Sequence, residues 1–145
     1  MILSGVNSET KAKTMPTWFL QTQSFLIVAL MVYGISQSSN RARHVKCMYT
    51  TMAWDIILIL QIELSRQAIL KASAAMSNPV LLNIHVSLAV TTVVFYVFMF
   101  FTGRRVLKGE GKLIPRHRLL GRVTLVLRIL TLVTSFVAAT PKEIV

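Results

Sequence analysis

Four long apolar stretches, separated by short polar segments, dominate the hydrophobic pattern of the chain. They span about residues 17–36, 45–67, 80–102 and 119–139. Each is close to the roughly 20 residues that an α-helix needs to cross the hydrocarbon core of a bilayer. The pattern predicts an all-α integral membrane bundle of four transmembrane helices as one domain, 17–139. A tail precedes this domain (1–16) and a second tail follows it (140–145).

A cleaved signal peptide is the alternative for the first apolar stretch, because Lys11 and Lys13 precede it. The stretch is long, however, and Gln21 and Gln23 interrupt it. It also lacks a small-residue cleavage site followed by a mature domain. These features favour a helix that is retained in the membrane.

The composition also predicts that the chain lies in a lipid bilayer and not in water. Of its 145 residues 54% are hydrophobic and only 14% are charged, whereas about 25% are charged in an ordinary soluble domain. Such high hydrophobicity excludes a disordered chain, and a single Cys excludes a disulfide framework. The sequence contains no phosphate-binding loop, no G-x-S-x-G and no Cys-x-x-Cys, so it gives no positive support for an enzyme.

Basic residues are concentrated in the loops 37–46 and 103–118, which lie on the same side of a four-span bundle. Because Lys and Arg are retained on the cytoplasmic side, we expect both loops in the cytoplasm and both termini outside, in the inner membrane of a bacterial cell. Topology and attraction to anionic lipid headgroups explain most of the net charge of +11. We therefore expect membrane lipids and other integral membrane subunits as partners, and no nucleic acid.

Two charged residues lie inside predicted spans, where each costs roughly 2.5 to 3.5 kcal/mol by insertion scales. Asp55 follows His44 by eleven residues, and Arg128 follows His117 by the same interval. Each charge then sits about 16 Å beyond its histidine along a helix, on the same face. The matched depth and opposite sign predict an intramembrane ion pair, which either fixes the helix register or belongs to a proton or ligand relay.

The three histidines raise the question of a cofactor. His44 and His117 begin two predicted spans at one depth, as a haem with two axial imidazoles requires, whereas His85 lies near the other side of the membrane. Cys47 and Met48 follow His44 closely and would suit copper. Contact with lipid headgroups is the simpler interpretation of interfacial histidines beside arginine. The sequence thus leaves haem, copper and no cofactor open.

A polar cluster is expected near the outer face. Glu63 and Arg66 lie at the end of the second predicted span, and His85 lies near the start of the third. A histidine and a carboxylate can bind a metal ion, but two ligands are too few to define a site. A hydrogen-bonded cluster at the membrane interface is the simpler interpretation.

Three short motifs resemble a known family. They are His44-x-x-x-Met48, Ile84-His85-x-x-Leu88-Ala89 and Arg116-His117-Arg118-x-x-Gly121-Arg122. Over about residues 41–136 the chain resembles the small membrane proteins of the YozB and CtaM type, domain-of-unknown-function family 420. The resemblance implies four or five spans and a role in maturation of haem-copper terminal oxidases, with His44, His85 and His117 contacting a cofactor or partner. The chain departs from the family pattern at Asp55, Val123 and Arg128.

Three functions follow as hypotheses. The first is non-catalytic assistance in the assembly or cofactor maturation of a respiratory terminal oxidase. The second is a structural accessory subunit of a larger respiratory or electron-transfer membrane complex, which the departures from the family pattern favour. The third is a small b-type haem protein that uses His44 and His117.

Overall fold

A computed structural model of the chain describes residues 16–64 and 79–138. It contains four α-helices, which we name α1 (Thr17–Ser36), α2 (Arg41–Leu64), α3 (Pro79–Leu107) and α4 (Ile114–Ala138). All four are long and apolar enough to cross a membrane, and no strand occurs within the described ranges. The prediction of an all-α bundle of four transmembrane helices is confirmed.

At one end of the bundle the helices extend beyond the predicted apolar spans. The helix α2 begins at Arg41, α3 continues to Leu107 and α4 begins at Ile114. Arg and Lys are good helix formers, so the helices continue into the polar interface where the apolar pattern has ended. We call this the basic end; α1 and α3 end there, and α2 and α4 begin there.

The turn between α3 and α4 is short and closed by backbone hydrogen bonds. Gly109 has a φ of +103°, the left-handed conformation that favours glycine after a helix. Its N–H donates to Val106 O (3.1 Å), and Glu110 N–H donates to Arg105 O (3.2 Å). These two bonds form a Schellman motif, which ends α3 and reverses the chain within residues 108–113.

The helices pack as two hairpins. The helix α1 packs along α2, α3 packs along α4, and α1 also contacts α4, whereas α2 and α3 approach each other less closely. Gly34 permits the close approach of α1 to α2, because a Cβ added there would lie 2.9 Å from Met48 Sδ and 3.1 Å from Cys47 Cβ. The looser α2–α3 side leaves a cleft between the hairpins at the basic end.

The bundle is apolar outside and partly polar inside. Its buried apolar side chains are Ile27, Met31, Leu58, Tyr96 and Met99, and its buried polar ones are Gln23, Ser24, Thr51, Asp55, Thr92, Thr124, Arg128 and Thr131. Many Phe, Val, Leu and Ile side chains are exposed on the outer faces, as contact with lipid requires. The buried Thr hydroxyls donate to carbonyls one turn earlier in their own helices, so their burial leaves no donor unsatisfied.

Candidate functional site

A buried polar network joins all four helices midway along the bundle. Arg128 Nη2 on α4 lies 2.7 Å from Asp55 Oδ1 on α2 and donates to Ser24 Oγ on α1 at 3.0 Å. The Tyr96 hydroxyl on α3 donates to Asp55 Oδ2 at 2.6 Å. Both carboxylate oxygens therefore have a partner, and the structure brings Asp55 and Arg128 together across the bundle.

Tyr96 and Ser24 are members of this network that the sequence analysis missed. Tyr96 lies eleven residues before the end of α3 at Leu107, and Ser24 lies twelve residues before the end of α1 at Ser36. At 1.5 Å per residue, both lie about 16–18 Å from the basic ends of their helices, whereas Asp55, fourteen residues into α2, lies about 21 Å from the start of its helix. Counting residues gives only an approximate depth, and it does not show which hydroxyl side chains turn towards Asp55 and Arg128.

The network is electrically balanced and closely enclosed. The side chains of Arg128 and Asp55 are only 5% and 4% exposed. Arg128 Nε is buried and has no hydrogen-bond partner among the described residues, which leaves one donor of the guanidinium unsatisfied. Removing either partner of such a buried pair is strongly destabilising, because the other partner then remains as an uncompensated charge inside the bundle.

A second group of polar side chains ties α1 to α2 beside this network. Trp54 Nε1 donates to Gln23 Oε1 at 3.1 Å, and Gln23 Nε2 donates to Gln61 Oε1 at 3.2 Å. Hydrogen bonds between helices are the usual way to satisfy polar side chains inside lipid. Gln23, which interrupts the first apolar stretch, therefore has a structural role.

At the basic end, the rings of His44 on α2 and His117 on α4 lie beside each other. Their centroids are 6.5 Å apart, and their planes are inclined by 85°, so the rings are neighbours in an edge-type arrangement and not stacked face to face. Both rings line a cleft of about 690 Å³ between the two hairpins. Small-molecule and cofactor pockets usually measure about 300–1,000 Å³, so the cleft has the size of a binding site.

We assign the tautomer of both rings from the hydrogen bonds at Nδ1. His44 Nδ1 lies 2.7 Å from Gly34 O, and a carbonyl oxygen only accepts, so Nδ1 carries the proton. His117 Nδ1 lies 3.1 Å from Thr102 Oγ1, whose own hydrogen is donated to Phe98 O at 2.8 Å. With the Thr102 hydrogen assigned to Phe98 O, its shortest contact, His117 Nδ1–H is the donor to the Thr102 oxygen. In the neutral form each ring keeps a lone pair on Nε2, the arrangement that metal-binding histidines commonly have.

The remaining lining of the cleft is both apolar and basic. It includes the apolar or aromatic side chains Met48, Tyr49, Met52, Met99 and Phe100, and the exposed cations Arg41, Arg104, Arg118 and Arg122. Arg41 Nη2 donates to Leu107 O at 2.7 Å, and the Arg104 guanidinium lies 5.5 Å from the centre of the Phe100 ring. The cleft thus combines apolar side chains, two imidazoles and several cations.

His85 lies away from this cleft. Its Nδ1 contacts Thr134 Oγ1 at 2.9 Å. His85 precedes Gly103 by eighteen residues on α3, and the ring of His117 lies beside Gly103. Eighteen residues of helix correspond to about 27 Å, so the structure does not bring His85 together with His44 and His117. Of the expected outer cluster, Arg66 and the side chain of Glu63 lie outside the described residues.

The described residues contain no group of three or more His, Cys, Asp and Glu placed to hold one metal ion. Metal ligation at the cleft would therefore rest on the two imidazoles, with the Met thioethers as the remaining soft ligands. Comparisons with protein-family models, with curated proteins and with solved structures find no match to this chain. The resemblance to the YozB and CtaM type stays a prediction.

Proposed function

We propose that this protein holds a haem or metal cofactor at its basic end during maturation of a haem-copper terminal oxidase. One observation carries the proposal: His44 and His117 lie side by side in the lining of one cleft, and in each ring Nδ1 is the nitrogen engaged by the protein. The link to oxidase maturation comes from the family resemblance at the same two histidines. In this proposal the protein binds a cofactor but catalyses no reaction.

The mid-depth network has a structural role in this proposal. Asp55 is bonded to both Tyr96 and Arg128, so neither carboxylate oxygen lacks a partner. A relay needs a group that exchanges partners, whereas the carboxylate at the centre of this network already has one partner on each oxygen. The cofactor function therefore belongs to the cleft, and the network holds the helices that form it.

The proposed orientation places the basic end in the cytoplasm and both termini outside, in the inner (cytoplasmic) membrane. Cys47 is the only cysteine of the chain, so a Cys47→Ser background accepts single reporter cysteines. We expect Gly111→Cys, in the exposed α3–α4 turn, to resist a membrane-impermeant maleimide in intact cells and to react after lysis. Ser8→Cys, in the N-terminal tail, should react in intact cells. The reverse labelling pattern would overturn the orientation.

Deletion and complementation test the proposed function. We expect cells without this protein to contain oxidase subunits that lack haem or copper, with oxidase activity reduced at least about tenfold. Wild-type protein should restore activity, whereas the His44→Asn and His117→Asn variants should not, because Asn does not replace imidazole as a ligand. His85→Asn is the matched control, because His85 lies outside the cleft.

A failed complementation is informative only if the variant protein is present in the membrane at the wild-type level. Each variant should accumulate in membranes as the wild type does. Full activity of the oxidase in the deletion strain, or full rescue by the His44→Asn/His117→Asn double variant, would overturn the proposal.

A stable accessory subunit is the second candidate, and a polar stripe on the outer face of α3 favours it. Asn83, Ser87 and Thr91 are exposed on α3 and line a shallow groove with Val80 and Ile84. Polar side chains are costly in lipid, and hydrogen-bonding residues at four-residue spacing are typical of helix–helix contacts in membranes. Stoichiometric co-purification with oxidase subunits in mild detergent, lost in an Asn83→Leu/Ser87→Leu variant, would favour this candidate.

A further inference from the structure

We infer that the ligand of the cleft is a haem, held by the Nε2 atoms of His44 and His117 on the two sides of one iron. This inference rests on the proposed function and specifies its cofactor. It names an amphiphilic iron tetrapyrrole with carboxylate side chains, where the proposed function leaves haem and a bare metal ion open.

The separation of the two rings matches one metal ion between them. For two imidazoles whose Nε2 atoms are both directed at one metal, a metal–imidazole bond of about 2.0–2.1 Å on each side plus the roughly 1.1 Å radius of each ring gives about 6.3 Å between ring centres. The observed separation is 6.5 Å. The rings stand on α2 and α4, in different hairpins, so an iron between them would join two parts of the bundle that approach each other only loosely.

The hydrogen bonds leave the required atoms available. Gly34 O accepts from His44 Nδ1–H, and Thr102 Oγ1 accepts from His117 Nδ1–H. Both acceptors come from neighbouring helices, α1 and α3, which hold each ring in place without using Nε2. A partner at Nδ1 also raises the basicity of the opposite nitrogen as a ligand.

The cleft suits a large amphiphile better than an isolated ion. An ion bound by two imidazoles and a thioether needs only a small cage, whereas this cleft measures about 690 Å³. Apolar and aromatic side chains such as Met99 and Phe100 line it, together with the exposed Arg118 and Arg122. Arginine pairs well with carboxylates, so these two cations are complementary to haem propionates, while the apolar lining is complementary to the macrocycle.

Haem titration of the detergent-purified full chain tests the inference. We expect one haem per chain, with the absorption spectrum of a low-spin, six-coordinate bis-imidazole complex. His44→Asn and His117→Asn should each remove the six-coordinate spectrum and weaken binding by at least ~100-fold, because loss of a supporting group alone costs about 10–100-fold. Asn keeps a side-chain N–H donor, which helps each variant fold. His85→Asn should keep the wild-type spectrum and affinity.

A parallel titration with Cu(I) alone distinguishes failure of the haem inference from failure of the proposed function. If the wild type binds one Cu(I) through His44 and His117 but gives no six-coordinate haem spectrum, the haem inference is wrong and the proposed cofactor function stands. If haem binds as expected while deletion leaves the oxidase fully active, the inference stands and the maturation role is wrong. A haem spectrum unchanged in the His44→Asn/His117→Asn double variant also overturns the inference.

Discussion

Replacing Asp55 with Asn should lower the free energy of unfolding of the bundle by about 3–5 kcal/mol, the usual cost of removing one partner of a buried ion pair. Asn has nearly the same shape as Asp, so packing changes little. The loss arises because Arg128, whose side chain is only 5% exposed, keeps its charge with no anion beside it. The prediction is checked by measuring the level of the variant in membranes and its unfolding midpoint in detergent, both of which should fall.

Three further variants show whether charge pairing is the cause. Arg128→Leu should destabilise the bundle similarly, whereas Asp55→Leu/Arg128→Leu should recover most of the lost stability, because buried ion pairs can often be replaced by apolar residues at little cost. Tyr96→Phe, which removes one hydrogen bond to Asp55, should cost less than either charge change, although a hydrogen bond to a charged group is worth about 1.5–3 kcal/mol. Normal accumulation and unfolding of Asp55→Asn would contradict the pairing argument.

The Asp55→Leu/Arg128→Leu variant also tests whether the buried network affects haem binding in the cleft. Asp55 lies eleven residues, about 16 Å along α2, from His44. If the network only holds the helices in register, Asp55→Leu/Arg128→Leu should bind haem as the wild type does. A stable double variant without haem binding would instead assign the pair a role in the cleft.

The sequence predicts how far along a helix a residue lies better than it predicts which way the residue points, because the direction depends on how the helix is rotated about its axis. Hydropathy alone gives the four helices, and counting residues gives the common depth of Asp55 and Arg128 and that of His44 and His117. Tyr96 escapes this approach because hydroxyl residues are numerous in these helices. Its role as a partner of Asp55 depends on how α3 is rotated.

The hydrogen bonds that prepare the cleft were beyond sequence analysis for a different reason. His44 is bonded to a backbone carbonyl, Gly34 O, and no side-chain pattern identifies a carbonyl acceptor. That carbonyl comes within reach because Gly34 allows α1 and α2 to approach closely. The inference of haem over copper therefore depends on the ring separation, the tautomers and the cleft volume, none of which the sequence gives.

Replacing Thr102 with Val should weaken haem binding by about 10–100-fold while keeping both axial ligands, the usual effect of losing a group that supports a ligating histidine. Val has nearly the shape of Thr, so the cleft keeps its volume. The variant removes the oxygen that accepts from His117 Nδ1–H, which leaves the ring free to turn and to place its proton on Nε2. At saturating haem the six-coordinate spectrum should persist, and only the dissociation constant should rise.

Thr124→Val is the matched control for this prediction. Thr124 is buried on α4, and its hydroxyl donates to Leu120 O at 2.7 Å, as Thr102 donates to Phe98 O. Both variants therefore lose the same bond within a helix, but only Thr102→Val loses the bond to His117. Equal weakening in both variants would mean that the hydroxyls act through helix stability. Wild-type affinity in Thr102→Val would mean that His117 needs no support from α3 to bind its ligand.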